Sequence, residues 1–206
     1  MSYLVAKFYD KMLATAEEVC LRDWRRELLK NISGNVLEIG AGTGSNIKFY
    51  PSSVSSLVLS EPDKHMRHQL EQKMTNTKLN ITLASGSAEK IEAQDESFDV
   101  VVSTLVCCSV TNLEKALAEI KRVLTVNGLL IFLEHVAADQ GTKRRRWQNI
   151  INPFWRKLAG NCHLNRETES AILAAGFEIM EIKRESMRKV ISVVRPTIRG
   201  IAIKTH

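Results

Sequence analysis

The densest group of chemistry-bearing positions is a glycine-rich turn in the first quarter of the chain. Gly40, Gly42 and Gly44 occupy alternate positions, and Glu38 stands two residues before the first of them. Glycines let a chain turn tightly and let a ligand approach the backbone closely. The spacing is GxGxG, whereas dinucleotide-binding turns have GxGxxG, and a carboxylate at Glu38 would repel a pyrophosphate. The turn therefore favours a ligand that carries a positive group such as an ammonium.

Polar positions also follow the later strands of the predicted sheet. Glu61 and Pro62 come directly after the second strand, where an acid accepts hydrogen bonds from the hydroxyls of a ribose. A polar turn after the third strand is placed to meet a purine edge. Because the carboxyl ends of parallel strands share one edge of a sheet, a single nucleoside would contact all these positions. Beyond the glycine-rich turn, the predicted nucleoside site comprises Glu61, Pro62, Ser87, Ala88, Glu89, Thr104 and Leu105.

The elements that position these residues alternate along the chain. Short β-branched or alternating runs predict the strands Val36–Gly40, Leu57–Glu61, Asn80–Ala84, Phe98–Ser103, Gly128–Leu133, Phe177–Lys183 and Ile198–Lys204. Helical spacing predicts a helix after the glycine-rich turn and the helices Asp63–Met74, Leu113–Leu124 and Arg166–Ala175. This alternation predicts an α/β fold: a Rossmann-like, doubly wound sheet of about seven strands, mostly parallel, with an antiparallel hairpin at one edge.

Length and composition indicate one globular domain over residues 1–206. The chain is 44% hydrophobic and 25% charged, with a net charge of +6, which permits an anionic or membrane-surface partner without requiring one. Residues 1–30 predict an N-terminal helical cap, and residues 139–165 an inserted basic-aromatic segment. No apolar run approaches the roughly 20 residues of a membrane span, and Met1–Leu13 lacks the apolar core of a secretion signal. We therefore expect a cytoplasmic protein.

Several longer motifs follow one another along the chain. They are VLEIGAGTG at 36–44, the acid Glu61, SAEKI at 87–91, FDVVVSTLVCCSV at 98–110 and EIKRVLTVNGLLIFLEH at 119–135. In this order they resemble the class I S-adenosylmethionine-dependent methyltransferases. The resemblance covers most of the chain and implies S-adenosyl-L-methionine as cofactor, held by the positions named above. It also implies a small-molecule methyl acceptor.

At finer grain the chain resembles the methyltransferase-like protein 7 branch, whose animal members are thiol S-methyltransferases. The matching pieces are NIKFYP at 46–51, STLVCCSV at 103–110, LEHVAA at 133–138, NPFW at 152–155, GNCHLNRET at 160–168 and the RP..RG ending at 195–200. The resemblance implies methyl transfer to the sulfur of a small or apolar thiol. Quinone-pathway methyltransferases share the cofactor half, so C- or O-methylation of a quinol-like acceptor is the alternative. The animal proteins begin with a hydrophobic anchoring segment that this chain lacks, which leaves membrane contact open.

His135 is the candidate catalytic base, because it follows the fifth strand where a substrate pocket would border the sheet. The alternative is a histidine packed structurally at a strand end. A free thiol with a pKa near 8.5 is already a few per cent ionised at neutral pH, so a weak base suffices. Candidate pocket residues are Tyr9, Cys107, Trp147 and Trp155. The scattered histidines and the lack of a CxxC pair predict no metal site.

The stretch from Trp147 to Leu158, preceded by the basic run Lys143–Arg146, has three interpretations. It is a helix with Trp147, Ile151, Phe154, Trp155 and Leu158 as its core face, or a lid over an apolar pocket, or a basic amphipathic segment on anionic lipid. The basic run is too short for an extended nucleic-acid footprint, so no nucleic-acid partner is expected. The oligomeric state is left open.

Overall fold

A seven-stranded sheet organises the computed structural model, which describes residue 11, residues 13–75 and residues 77–205. The strands are β1 (Gly34–Ile39), β2 (Val54–Ser60), β3 (Ile81–Ala84), β4 (Phe98–Thr104), β5 (Leu124–His135), β6 (Phe177–Ser186) and β7 (Pro196–Lys204). Their order is β3-β2-β1-β4-β5-β7-β6, with β7 antiparallel to both neighbours and the other pairs parallel. The predicted fold class is therefore confirmed, including the antiparallel pair at one edge.

Besides the helical residues 13–16, five α-helices flank the sheet in the described part of the chain: α1 (Arg22–Leu29), α2 (Lys64–Met74), α3 (Leu113–Val123), α4 (Lys143–Leu158) and α5 (Thr168–Ala174). A π-helical turn, Glu17–Leu21, leads directly into α1. Asp63 caps α2 by accepting hydrogen bonds from the backbone amides of His65 and Met66, and Asn112 caps α3 in the same way.

The helix predicted after the glycine-rich turn is wrong. Only a short 3₁₀ turn, Ile47–Phe49, follows Gly44. The reason is the short distance to Pro51, which removes a backbone donor and disfavours helix at the residue before it. Too few residues remain between Gly44 and Pro51 to offset the cost of nucleating a helix.

The core lies on both faces of the central strands β1, β4 and β5. Val101, Val102 and Phe132 are fully buried, as expected for parallel strands covered on both sides. Ile39 pairs with Ser60 on one side and Ser103 on the other, so β1, β2 and β4 end at the same level. This shared edge brings the predicted site residues together.

Candidate functional site

The three glycines of the glycine-rich turn differ in how much space surrounds them. Gly40 has φ +54°, and a Cβ there would lie 2.6 Å from a methyl of Val106, so packing alone requires glycine. Gly42 has φ +59°, but a Cβ there would meet nothing closer than the Gly40 carbonyl oxygen at 3.9 Å. Gly44 is again enclosed, by Ile47 and Leu70. None of the described residues therefore fills the space above Gly42, so a ligand can approach the backbone there.

Glu61 faces this turn from the end of β2. Its Oε2 accepts the backbone N–H of Gly42 at 2.8 Å, and its Oε1 accepts that of Asp63 at 2.8 Å. Burial raises the pKa of Glu61, and the two amide hydrogen bonds oppose that rise. Each carboxylate oxygen has a second lone pair, so the side chain is oriented and still able to accept the hydroxyls of a ribose.

Glu38 is the centre of a buried polar network. Its two carboxylate oxygens accept the Asn46 amide at 2.8 Å and the Tyr50 hydroxyl at 2.6 Å. Asn46 also donates to Thr104 Oγ1 at 2.9 Å and accepts from the Arg25 guanidinium at 2.8 Å. Burial raises the pKa of Glu38 to about 7, against the lowering effect of its hydrogen bonds. The network fixes the glycine-rich turn to the end of β4.

Sequence reasoning missed the roles of Arg25, Asn46 and Tyr50. Asn46 and Tyr50 belong to the NIKFYP motif, and the motif by itself does not indicate their hydrogen bonds to Glu38. Asn46 lies 58 residues from its partner Thr104, and local patterns carry no signal for such a pair.

The polar turn after β3 is occupied partly by structural contacts. Ala88 is buried in the core, and Ser87 pairs with Lys90 in a short bridge. Glu89 Oε1 accepts the backbone N–H of Thr111 at 2.7 Å, which fixes the segment that leads into α3. Contact of this turn with a purine stays a prediction.

The end of β4 carries a strained turn. Leu105 has φ +60°, a conformation uncommon for residues other than glycine, and its N–H donates to the Leu133 carbonyl oxygen at 2.8 Å. Buried Glu134 supports this turn by accepting the Ser103 hydroxyl at 2.7 Å and the Val106 N–H at 3.1 Å. Strained backbone held by its surroundings is concentrated at functional sites. Sequence reasoning did not single out Glu134.

His135 is buried at the end of β5, with an exposure of 2%. Neither ring nitrogen has a hydrogen-bond partner among the described residues. Burial lowers the pKa of His135 to about 4, so the imidazole is neutral at physiological pH. A buried polar group without a partner is costly, which is typical of a site that takes a ligand.

Cys107 and Cys108 lie in the turn that Glu134 supports. The Cys107 thiol contacts the Ser103 hydroxyl at 3.3 Å, and burial raises its pKa well above the usual range. Cys107 therefore stays protonated and is not a thiolate nucleophile. Cys108 lies within hydrogen-bonding reach of Cys162, and this contact lowers the pKa of Cys162 and raises that of Cys108.

The remaining predicted pocket residues are two tryptophans on α4 and Tyr9. Trp147 is 57% exposed on α4, while Trp155 is partly buried. Tyr9 lies outside the described residues. The interpretation of the 147–158 stretch as a core face is wrong for Trp147, Phe154 and Leu158, because their side chains are mostly exposed.

Two further observations concern the described residues as a whole. No helix in that part of the chain is long and apolar enough to cross a membrane. No group of three or more histidine, cysteine, aspartate or glutamate residues is arranged to hold a metal ion there.

Comparison with known proteins decides the family. A family model described as a methyltransferase domain matches residues 37–132. The thiol S-methyltransferase TMT1B of Rattus norvegicus is 35% identical over 99% of this chain and 84% of its own length. The chain belongs to this methyltransferase family. The ubiquinone/menaquinone biosynthesis C-methyltransferase UbiE of Rickettsia peacockii is more distant, 28% identical over 76% of this chain and 69% of its own length.

Solved structures agree on the fold. A putative methyltransferase of Bacillus halodurans superimposes with a TM-score of 0.70 at 16% identity, covering 90% of this chain and all of that one. The protein is thus a class I methyltransferase with S-adenosylmethionine as methyl donor. The site fits that cofactor on its own evidence: among the described residues nothing fills the space above Gly42, and the Glu61 carboxylate is held in a fixed orientation by two backbone amides.

Proposed function

We propose that the protein transfers the methyl group of S-adenosylmethionine to the sulfur of a small or apolar thiol. The observation that carries this proposal is the extent of the similarity to the rat thiol S-methyltransferase. That similarity reaches 99% of the chain and so includes the acceptor half after β5. The quinone-pathway relative aligns with only 76% of the chain at lower identity.

The cofactor supplies a methyl group already activated by the positive sulfonium. The acceptor sulfur forms the new S–C bond as the sulfonium S–C bond breaks, and the thiol proton leaves to solvent or to a nearby base. The chain has to bind both partners in line and exclude water, which alone accounts for a large rate acceleration. We assign the cofactor to Gly40, Gly42 and Gly44, to Glu38, Glu61 and Pro62, to Ser87, Ala88 and Glu89, and to Thr104 and Leu105.

Within that assignment the side chains have different tasks. Glu61 receives the ribose hydroxyls, and the open position at Gly42 admits the cofactor close to the backbone. Glu38 acts on the ammonium end through its charge and through the network with Asn46 and Tyr50, because its carboxylate is buried. Its negative form gains stability when a cation binds nearby.

His135 orients the acceptor thiol. Its pKa of about 4 makes it a weak base, but its neutral ring nitrogen accepts the S–H hydrogen throughout the neutral range. Its buried position keeps water away from the reacting sulfur. The thiolate forms from the acceptor's own ionisation, which is appreciable for thiols near neutral pH.

A matched pair of acceptors tests the proposal. The purified protein is incubated with S-adenosylmethionine and either an aliphatic thiol or the alcohol of the same chain length, and the products are identified by mass spectrometry. We expect the S-methyl thioether from the thiol and no ether from the alcohol. Methylation of a demethylated quinol, with none of the thiol, would establish the alternative acceptor class.

We also propose a cytoplasmic setting. The four cysteines are all free thiols, including Cys108 and Cys162, which lie close enough to interact. Free neighbouring thiols are typical of a reducing compartment. Isolation of the protein from cells under alkylating conditions, followed by counting of alkylated cysteines, tests this: recovery of oxidised cysteine pairs would contradict it.

A further inference from the structure

Helix α4 turns two amide side chains toward the rest of the protein and leaves several large apolar side chains exposed. The fully buried Gln148 accepts the Ala138 N–H at 2.7 Å and donates to the Val193 carbonyl oxygen at 2.9 Å. One turn later, Asn152 accepts the Leu164 N–H at 2.9 Å. These amide contacts hold α4 against the chain that follows β5 and against the loop after the helix.

The opposite face of α4 is an apolar stripe. Trp147, Ile150, Phe154 and Leu158 are 57%, 62%, 71% and 77% exposed. Their spacing of three and four residues puts them on one side of the helix. In the described part of the chain eight large apolar side chains are prominently exposed, and these are four of them. A continuous exposed apolar surface marks an interaction site.

Positive charge surrounds the stripe. The 16 residues of α4 contain six cations and no acid. Arg145 pairs with Glu167 at 2.8 Å, and the other five cations are exposed, namely Lys143, Arg144, Arg146, Arg156 and Lys157. The occupant of this face therefore has to accept apolar side chains and supply negative charge on both flanks.

We infer that this face of α4 docks on the surface of an anionic phospholipid bilayer. A helix of this kind lies in the interface plane with its apolar side chains among the acyl chains and its cations at the headgroups. A second copy of the chain fits poorly, because two α4 helices packed face to face would bring like charges together. A nucleic acid would leave the apolar stripe without a partner.

The docking face adjoins the candidate acceptor side of the molecule. The loop after α4 is bound to the turn that follows β4, with the His163 N–H donating to the Cys108 carbonyl oxygen at 2.8 Å. Arg166 adds hydrogen bonds to the carbonyl oxygens of Cys107 and Val110 at 2.7 and 2.8 Å. If the protein methylates apolar thiols, as proposed above, docking places that turn near acceptors dissolved in the bilayer. The docking itself does not depend on the acceptor.

Vesicle co-sedimentation tests the inference. The full chain is mixed with vesicles of phosphatidylcholine alone or of phosphatidylcholine with phosphatidylserine, at low and high salt. We expect binding to the anionic vesicles that is at least about tenfold tighter than to the neutral ones and that weakens with salt. Equal binding to both compositions, or none to either, would overturn the inference.

Two matched pairs of variants locate the surface. The double variant Ile150→Ser/Phe154→Ser is compared with the double variant Leu173→Ser/Met180→Ser, which removes exposed apolar side chains away from α4. The double variant Lys143→Glu/Arg146→Glu is compared with the double variant Lys78→Glu/Lys115→Glu, which changes exposed lysines away from α4. We expect each α4 pair to weaken vesicle binding about tenfold or more and each control pair to leave it within about twofold.

Melting temperature and cofactor affinity confirm that each variant is folded. Equal losses in the control variants would overturn the assignment of the surface to α4. The assignment would also be overturned if the α4 variants still bound vesicles but lost a concentration-dependent dimer, or lost binding to RNA. Methylation of a water-soluble thiol without vesicles is measured separately, so failure of the proposed reaction is distinguishable from failure of docking.

Discussion

Replacing Gly42 by valine separates the cofactor site from the fold. Among the described residues other than its chain neighbours, nothing lies closer than 3.9 Å to a Cβ at this position, so the added Cβ itself makes no clash with them. The cost to folding comes from the φ of +59°, which for an L-residue amounts to about 1–2 kcal/mol. For a chain of this size we expect the melting temperature to fall by about 2–8 °C.

The effect on cofactor binding is larger. The valine side chain fills the space that the cofactor requires, and the turn cannot shift because Gly40 and Gly44 are packed tightly on either side. Overlap in a packed site costs about 1–3 kcal/mol even where neighbours adjust, and here they cannot. We therefore expect the dissociation constant of S-adenosylhomocysteine, measured by calorimetry, to rise about 100-fold or more.

Gly141→Val is the matched control. Gly141 has φ +80°, and no described residue other than its chain neighbours lies within 4 Å of a Cβ there, so it carries similar backbone strain away from the cofactor site. We expect a similar loss of melting temperature and unchanged cofactor affinity. Wild-type affinity in Gly42→Val, or an equal loss of affinity in Gly141→Val, would refute the placement of the cofactor.

Three further substitutions have defined outcomes. Glu61→Gln removes the charged acceptor of the ribose hydroxyls, and calorimetry with the cofactor product should show affinity about 10- to 100-fold weaker, since hydrogen bonds to charged groups contribute about 1.5–3 kcal/mol; unchanged affinity would remove Glu61 from the site. His135→Asn should lower kcat about tenfold or more and leave cofactor affinity unchanged; a loss of affinity instead would make His135 cofactor-facing or structural. The folded-state pKa of His135, about 4, lies below its ordinary value of 6.5, so the folded state becomes less stable as the pH falls from 6.5 to 4. Denaturant titrations of the wild type should show a loss of up to about 3 kcal/mol over this range. The same titrations of His135→Asn should not show it. Glu38 has the opposite effect on the pH dependence of stability, because its pKa of about 7 lies above the ordinary 4.5. The free energy of unfolding of the wild type should therefore fall as the pH rises from 4.5 to 7. Equal pH slopes in wild type and Glu38→Gln would contradict the burial of this carboxyl group.

The sheet was predictable because its strands are short apolar or alternating runs bounded by turn residues. Parallel strands such as β4 are buried on both faces, so their sequence is nearly continuous in β-branched residues. The position of the glycine-rich turn next to Glu61 was predictable because both follow strands that end at the same edge of a parallel sheet.

The rest depends on contacts that sequence patterns do not encode. The pairs Arg25–Asn46 and Ser103–Glu134 join residues 21 and 31 positions apart, and only the fold brings them together. In α4, periodicity shows which residues share a face but not which face is buried. The structure buries Gln148 because its amide satisfies three backbone groups, and the aromatic residues are left outside.

The central claim is methyl transfer to a thiol at the site built around Gly42 and His135. Its most direct test is label transfer from methyl-tritiated S-adenosylmethionine to a small aliphatic thiol, with Gly42→Val as the blank. We predict labelled thioether well above that blank, formed in proportion to enzyme. Cofactor binding without label in the thiol, together with label in a demethylated quinol, would contradict the claim.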